Sequence, residues 1–77
     1  MSLQTGIQPQ FISVSINGEV KEVPANGSVE ELLAWLGVDS GRVAVELNKL
    51  IVRKQNWRQT LVPAGSQLEI VEFVGGG

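Results

Sequence analysis

Apolar and polar side chains alternate along three stretches of the chain. Residues 11–16 and 42–47 place an apolar side chain at every second position, a period typical of a half-buried β-strand. A third run, residues 68–74, is rich in β-branched and aromatic side chains, which favour a pleated, half-buried surface. The pattern therefore predicts at least three strands, one of them close to the end of the sequence.

The first strand is predicted to open a β-hairpin. Asn17-Gly18 follows it and suits the positive φ angles of a two-residue turn, so that residues 19–23 pair back as a second strand. This register sets Lys21 opposite Val14 on the buried face. Either Lys21 extends to solvent at a sheet edge, or the hairpin contains a bulge; the sequence leaves both possibilities open.

Residues 28–37 carry the signals of a short helix. Ser28 and Glu31 form a capping box at its start, and Gly37 suits the left-handed position that ends it. One apolar stripe follows the helical period and consists of Val29, Leu32, Leu33 and Leu36. A helix of about two turns is not stable alone, so it is predicted to pack on one face of the sheet, with Trp35 flanking the stripe, either in the core or at its rim.

The remaining signals complete an α+β fold. Residues 48–49 indicate a turn, residues 50–52 a short edge strand, residues 53–59 a turn of helix held by Trp57, and residues 63–66 another turn. This order predicts a mixed sheet of four to five strands with one main helix on one face, the β-grasp arrangement. If the last strand lies in the centre beside the first, it can be parallel to it, because a long connection that contains the helix lies between them.

The chain is predicted to form one domain with two loose ends. Its 77 residues fit a single domain. Residues 1–10 lack an apolar period and are predicted to be a disordered N-terminal extension; residues 11–74 form the β-grasp domain. Residues 75–77 are glycines without side chains to pack, and we expect a flexible tail. The terminal carboxylate then stands clear of the body, either as a frayed end or as a group presented to another protein.

One sheet face is predicted to remain uncovered. Val71 and Phe73 are expected on the side opposite the helix, together with Phe11, Val20 and Ala44. These side chains are either scattered surface apolar residues, which are normal, or a docking patch beside the tail.

Composition excludes several classes of function. The formal net charge is −2, which argues against nucleic acid as a partner; Arg53, Lys54 and Arg58 are the nearest approach to a basic patch. Histidine and cysteine are absent, so the commonest general base and the thiolate ligand are both missing, and neither a metal nor a bound cofactor is expected. No stretch approaches the ~20 apolar residues of a membrane span, and no signal peptide is evident. A cytoplasmic protein without a membrane partner is predicted.

Taken in order, these motifs resemble the ThiS family of ubiquitin-like sulfur carriers. The matching pieces are Asn17-Gly18, residues 28–33, residues 43–48, Ile51-Val52 with a following basic residue and Trp57, residues 63–66, and residues 74–77. The resemblance covers residues 11–77. Arg53 departs from it, because the family often has proline there.

The resemblance implies a carrier rather than an enzyme. An α-carboxylate, with a reference pKa of about 3.3–3.7, is an anion at neutral pH and a poor electrophile, so it must be activated. The resemblance implies that a ThiF-like adenylating enzyme uses ATP to convert the Gly77 carboxylate to an acyl-adenylate. A sulfur donor system then forms a thiocarboxylate, and a ThiG-like thiazole synthase accepts its sulfur.

The resemblance also implies roles for the residues before Gly77. Gly75 and Gly76 would let the backbone pass through narrow channels of the partners. The body would dock through apolar side chains of the uncovered face, namely Phe73, Val71, Phe11 and Val20.

Other functions remain possible on the sequence alone. The small subunit of molybdopterin synthase (MoaD-like) shares the fold and the thiocarboxylate chemistry, although its family usually has a proline-containing segment before the terminal glycines, which residues 72–74 lack. A ubiquitin-like modifier would join the activated glycine to a lysine amine. A binding module with a frayed glycine end would do neither.

Overall fold

The computed structural model describes residues 10–73. Its elements are β1 (Phe11–Ile16), β2 (Glu19–Pro24), α1 (Val29–Leu36), β3 (Val43–Leu47), β4 (Leu50–Val52) and β5 (Gln67–Glu72), with short 3-10 helices at Ser40–Arg42 and Lys54–Gln59. The predicted N-terminal extension, apart from Gln10, and the predicted glycine tail lie outside the described residues.

The five strands form one mixed sheet in the order β2-β1-β5-β3-β4. β1 and β5 are parallel at its centre, and the other neighbours are antiparallel. A parallel pair needs a long crossover connection, and the segment that contains α1, β3 and β4 supplies it. The β-grasp prediction is confirmed, and the condition for a parallel last strand is met, since β5 lies beside β1 in the centre.

The first hairpin is regular. Its pairing runs without interruption from Phe11 and Pro24 to Ile16 and Glu19, so it contains no bulge. Lys21 lies on β2, the outermost strand on this side, and its Nζ is 3.8 Å from Glu19 Oε1 with 43% of its side chain exposed. Of the two possibilities that the sequence left open, the extension of Lys21 to solvent is therefore correct.

Both predicted caps of α1 are present. The Ser28 hydroxyl oxygen accepts a hydrogen bond from the Glu31 N–H at 3.1 Å, and the Ser28 N–H donates to Glu31 Oε1 at 2.9 Å. At the other end Gly37 has φ 77°, and the Val38 N–H donates to the Leu33 carbonyl at 3.1 Å. These bonds satisfy backbone groups that the ends of a helix would leave without partners.

The hydrophobic core lies between α1 and one face of the sheet. Its buried members are Val14, Ile16, Val23, Val29, Leu32, Leu33, Val43, Val45, Trp57, Val62 and Leu68. Trp57 anchors its 3-10 helix as predicted, since its Nε1–H donates to the Val52 carbonyl at 2.9 Å. Trp35 lies at the rim of the helix stripe and is half exposed. Among residues 10–73, no helix has the length and apolar character needed to cross a membrane.

Candidate functional site

The exit of β5 from the sheet is the structural feature nearest to the predicted tail. The pairing of β5 with β1 stops at Leu68, whereas its pairing with β3 continues to Glu72. The Phe73 N–H then donates to the Arg42 carbonyl at 2.7 Å. The last residues of β5 therefore have a strand neighbour on one side, and residue 73 is still attached to the sheet.

Asn17 occupies the side of β5 that β1 leaves open. Its Oδ1 accepts from the Ile70 N–H at 2.8 Å, and its Nδ2 donates to the Ile70 carbonyl at 3.1 Å. The side-chain amide thus replaces the backbone of a missing strand residue. Asn17 has φ 52°, a left-handed conformation that asparagine tolerates better than most residues.

Asn48 holds the other end of β5 in a similar way. It lies in the turn between β3 and β4 with φ 52°; its Oδ1 accepts from the Gln67 N–H at 2.8 Å and its own N–H donates to the Gln67 carbonyl at 2.7 Å. Sequence reasoning recognised both asparagines as turn residues but missed these contacts. Each asparagine can be recognised in the sequence as a turn residue, but its hydrogen-bond partner on β5 can be identified only when the strand order is known.

We expect Asn17→Gly to loosen the end of β5 selectively. Glycine accepts the positive φ of the turn, so the substitution removes the two side-chain bonds to Ile70 without straining the backbone. At about 1 kcal/mol per net hydrogen bond, amide exchange at Ile70 should accelerate about tenfold or more.

Asn48→Gly is the matched control, because it has the same backbone conformation and removes a side-chain bond to Gln67 instead. It should accelerate exchange at Gln67 and leave Ile70 unchanged. Equal protection of Ile70 in the wild type and in Asn17→Gly would show that the side chain of Asn17 does not hold β5.

The predicted uncovered face is present beside this exit. Val71 lies opposite Ala44 on β3, and the side chains of Val71 and Phe73 are 57% and 55% exposed. Two positions further into the sheet, Glu69 lies directly opposite Glu46. Like charges facing each other destabilise a sheet, so this pair offers a site for a positive group of a partner.

Phe11 and Val20 share the face but are not brought to the exit of β5. Both are exposed, yet Ser15 is level with Gln67 in the parallel pair, so Phe11 and Val71 differ by eight strand positions. At about 3.3 Å per residue, they lie about 25 Å apart along the strands. The four predicted docking residues therefore do not form one continuous patch, and their role in docking stays a prediction.

The predicted reactive residue and the predicted channel residues, Gly77, Gly76 and Gly75, lie outside the described part of the chain, and their roles also stay predictions. Within residues 10–73, no three acidic side chains converge in a way that would hold a metal ion. What the described site provides is a fixed strand end flanked by exposed apolar side chains.

Within residues 10–73, the mixed sheet, its one α-helix and its central last strand define a ubiquitin-like β-grasp protein. The model of the ThiS family matches residues 9–77. The chain belongs to the ThiS family, and the resemblance seen in the sequence is confirmed.

Individual relatives agree with this assignment. The sulfur carrier protein ThiS of Bacillus subtilis is 35% identical over 83% of this chain and 98% of its own length. The crystal structure of a thiamine biosynthesis protein (ThiS) from Geobacter metallireducens superposes with a TM-score of 0.76 at 32% identity and covers 86% of this chain and 100% of that one.

A thiazole synthase of Paramagnetospirillum magneticum is 53% identical over 80% of this chain. The chain spans about a fifth of the length of the thiazole synthases that it matches. These proteins therefore carry a segment similar to this chain within a longer polypeptide.

Proposed function

We propose that this chain carries sulfur in thiamine biosynthesis as a thiocarboxylate formed at Gly77. The observation that carries the proposal is the course of β5. This central strand brings the chain to the end of the sheet at Phe73, four residues before Gly77. The match of the ThiS family model through residue 77 supports it. In this role the chain is a substrate of other enzymes and contributes no catalytic side chain.

The proposed chemistry has two steps. The carboxylate of Gly77 attacks the α-phosphate of ATP, pyrophosphate leaves, and an acyl-adenylate forms. A hydrosulfide anion supplied by a donor system then attacks the acyl carbon, the new C–S bond forms as the C–O bond to AMP breaks, and loss of the sulfur proton leaves the thiocarboxylate. ATP is thus consumed by the activating partner, and no bound cofactor is required in this chain.

The proposed partners follow from these steps. An adenylating enzyme similar to ThiF activates the carboxylate, and a thiazole synthase similar to ThiG accepts the sulfur. The thiazole synthases that carry a segment similar to this chain support the second partner. Because activation consumes ATP, we place the reaction in the cytoplasm.

Docking of the activating enzyme is proposed at the exit of β5. Val71 and Phe73 supply apolar area, and the facing carboxylates of Glu46 and Glu69 supply a site for lysine or arginine. Apolar anchors surrounded by polar contacts are the usual anatomy of an interface. The partner would then bind the body beside the residues that lead to Gly77.

We expect Phe73→Asp to weaken binding to the activating enzyme about tenfold or more, the size of effect seen when an aromatic anchor is lost from the centre of an interface. Titration calorimetry with the purified partner measures the change. Phe73 is exposed, so the free energy of unfolding should change little.

Phe11→Asp is the matched control for this change. Phe11 is on the same face with nearly the same exposure, 53% against 55%, but at the far end of the sheet. Its substitution should leave the affinity unchanged. If Phe73→Asp binds as tightly as the wild type, the proposed docking site is wrong; if Phe11→Asp weakens binding equally, the interface extends along the whole face.

Mass spectrometry tests the function itself. The mature protein is incubated with ATP, the adenylating enzyme and a sulfur source, and its intact mass is measured before and after. Exchange of one oxygen for sulfur supports the proposal. An isopeptide adduct would identify a modifier, an unchanged mass would favour a binding module, and a mature chain that continues past Gly77 would remove the required carboxylate.

A further inference from the structure

The basic residues of the chain are concentrated in one stretch of the sequence, which includes the edge strand β4. Four of the six lie between residues 49 and 58, and no aspartate or glutamate occurs from residue 47 to residue 68. The four are Lys49, Arg53, Lys54 and Arg58, all exposed. Within residues 10–73 none of them has a carboxylate at salt-bridge distance. In a chain of net charge −2, Lys49 and Arg53 therefore place positive charge at the two ends of β4.

The strand between these two cations, β4, is the outermost strand on its side of the sheet. Leu50 and Ile51 are exposed to 73% and 75%, so the edge is apolar as well as basic. A groove beside the strand is lined by Leu47, Leu50, Ile51, Arg53, Asn56 and Thr60. Proteins usually protect such edges, because an open strand edge is a template for pairing with another chain.

The backbone of Ile51 is oriented for such pairing. Leu47 and Leu50 close the two-residue turn between β3 and β4 and face each other, so they form the hydrogen-bonded pair of the hairpin. Hydrogen-bonded and non-bonded pairs alternate in an antiparallel ladder. Ile51, opposite Glu46, is therefore in a non-bonded pair, and its N–H and C=O point away from β3.

We propose that β4 binds an extended acidic segment of a partner protein, which adds to the sheet as a further strand. The backbone of Ile51 would supply hydrogen bonds, Leu50 and Ile51 would supply apolar contact, and Lys49 and Arg53 would pair with carboxylates that flank an apolar residue of the segment. Strand addition of this kind combines backbone affinity with side-chain specificity.

The charges of the edge disfavour a second copy of this chain as the occupant. If two β4 strands paired antiparallel with Ile51 at the centre, Lys49 of each copy would lie opposite Arg53 of the other. Two cations would then face each other at both ends of the paired strands. Like charges directly opposite each other destabilise a pair of strands. The exposed leucine and isoleucine between the cations favour a peptide over a polyanion that offers only charge.

The position of β4 leaves the exit of β5 accessible. Ile51 is level with Glu69, four positions before Phe73, and β4 is separated from β5 by β3. At about 3.3 Å per residue and about 4.8 Å between strands, the two sites lie about 16 Å apart. A segment bound along β4 would lie next to Glu46, which is directly opposite Ile51, but it would leave Val71 and Phe73 uncovered, whether or not the proposed sulfur chemistry is correct.

Titration of the isotope-labelled full chain with a short blocked peptide that alternates glutamate and valine tests this proposal. Amide chemical shifts of residues 49–53 should change, exchange of the Ile51 N–H should slow, and added salt should weaken the binding because exposed charges are screened. The same peptide with lysine in place of glutamate should not bind.

The double variant Lys49→Glu with Arg53→Glu should bind the acidic peptide about fivefold more weakly or worse, since two exposed ion pairs are lost. Lys21→Glu with Arg42→Glu is the matched control, because it makes the same change of net charge at the other two basic residues. Its affinity for the peptide should fall by much less.

Three results would overturn the proposal. The first is unchanged amide chemical shifts of residues 49–53 at a large excess of the acidic peptide. The second is a dimer in sedimentation experiments whose interface is β4. The third is tighter binding of an RNA oligonucleotide than of the acidic peptide at these residues. Each is independent of sulfur loading, so failure here and failure of the proposed function are distinguishable.

Discussion

Removal of Gly77 abolishes sulfur loading in the proposed mechanism, and we expect no detectable thiocarboxylate on the shortened chain. The acyl carbon that is adenylated belongs to this residue, and the shortened chain would present its carboxylate one residue, about 3.5 Å, short of the attacking site. Positioning errors far smaller than this reduce rates about a hundredfold. Intact mass after incubation with ATP, the adenylating enzyme and the sulfur source measures the loss.

Stability provides the control for this truncation. The buried core ends at Leu68 among the described residues, so the denaturation midpoint of the shortened protein should equal that of the wild type. Gly77→Ala adds a second comparison, since it keeps the carboxylate and introduces a Cβ atom; loading should be slowed if the partner's channel admits only glycine. Normal loading of the truncated chain would contradict the assignment of Gly77.

Leu33→Ala is expected to lower the free energy of unfolding by about 2–5 kcal/mol, the usual cost of removing a fully buried leucine side chain. Leu33 has 0% exposure and lies where α1 packs on the sheet. Small domains are stable by only about 5–15 kcal/mol, so the loss is a large share of the total. Denaturant unfolding measures it, with an unchanged slope indicating that the native and unfolded states are otherwise comparable.

Leu50→Ala is the matched control, because it makes the same chemical change at a side chain that is 73% exposed. Its unfolding free energy should stay within about 0.5 kcal/mol of the wild type. Folded Leu33→Ala should still accept sulfur, because the substitution is remote from the strand exit. Equal stabilities of the two leucine variants would place Leu33 outside the core.

Local signals predicted α1 because each of them acts within a few residues. The capping box depends on Ser28 and Glu31, three residues apart, and the helix end depends on Gly37; both were correct in detail. The hairpin was also local, since its turn and alternation set the register. Its ambiguity at Lys21 was not local, because a lysine on the buried face is tolerated only where the strand lies at a sheet edge.

The predicted docking face shows where sequence reasoning was incomplete. Alternation placed Phe11 and Val71 on the same side of the sheet, and both are exposed there. Alternation shows which face of the sheet a side chain is on, but not how neighbouring strands are aligned along their length. The register of β1 with β5 places Phe11 and Val71 at opposite ends of the sheet. The facing carboxylates of Glu46 and Glu69 were missed for the same reason, since they are 23 residues apart in the sequence.

The sequence by itself determined the element order, the caps of α1, the sheet faces and the family, because periodicity, turn chemistry and motif order are properties of neighbouring residues. Tertiary structure alone decided the register of β5 with β1 and β3, the binding of Asn17 to Ile70 and of Asn48 to Gln67, and the open basic edge at β4. These features depend on residues far apart in the chain, which come together only when β5 has paired with both β1 and β3.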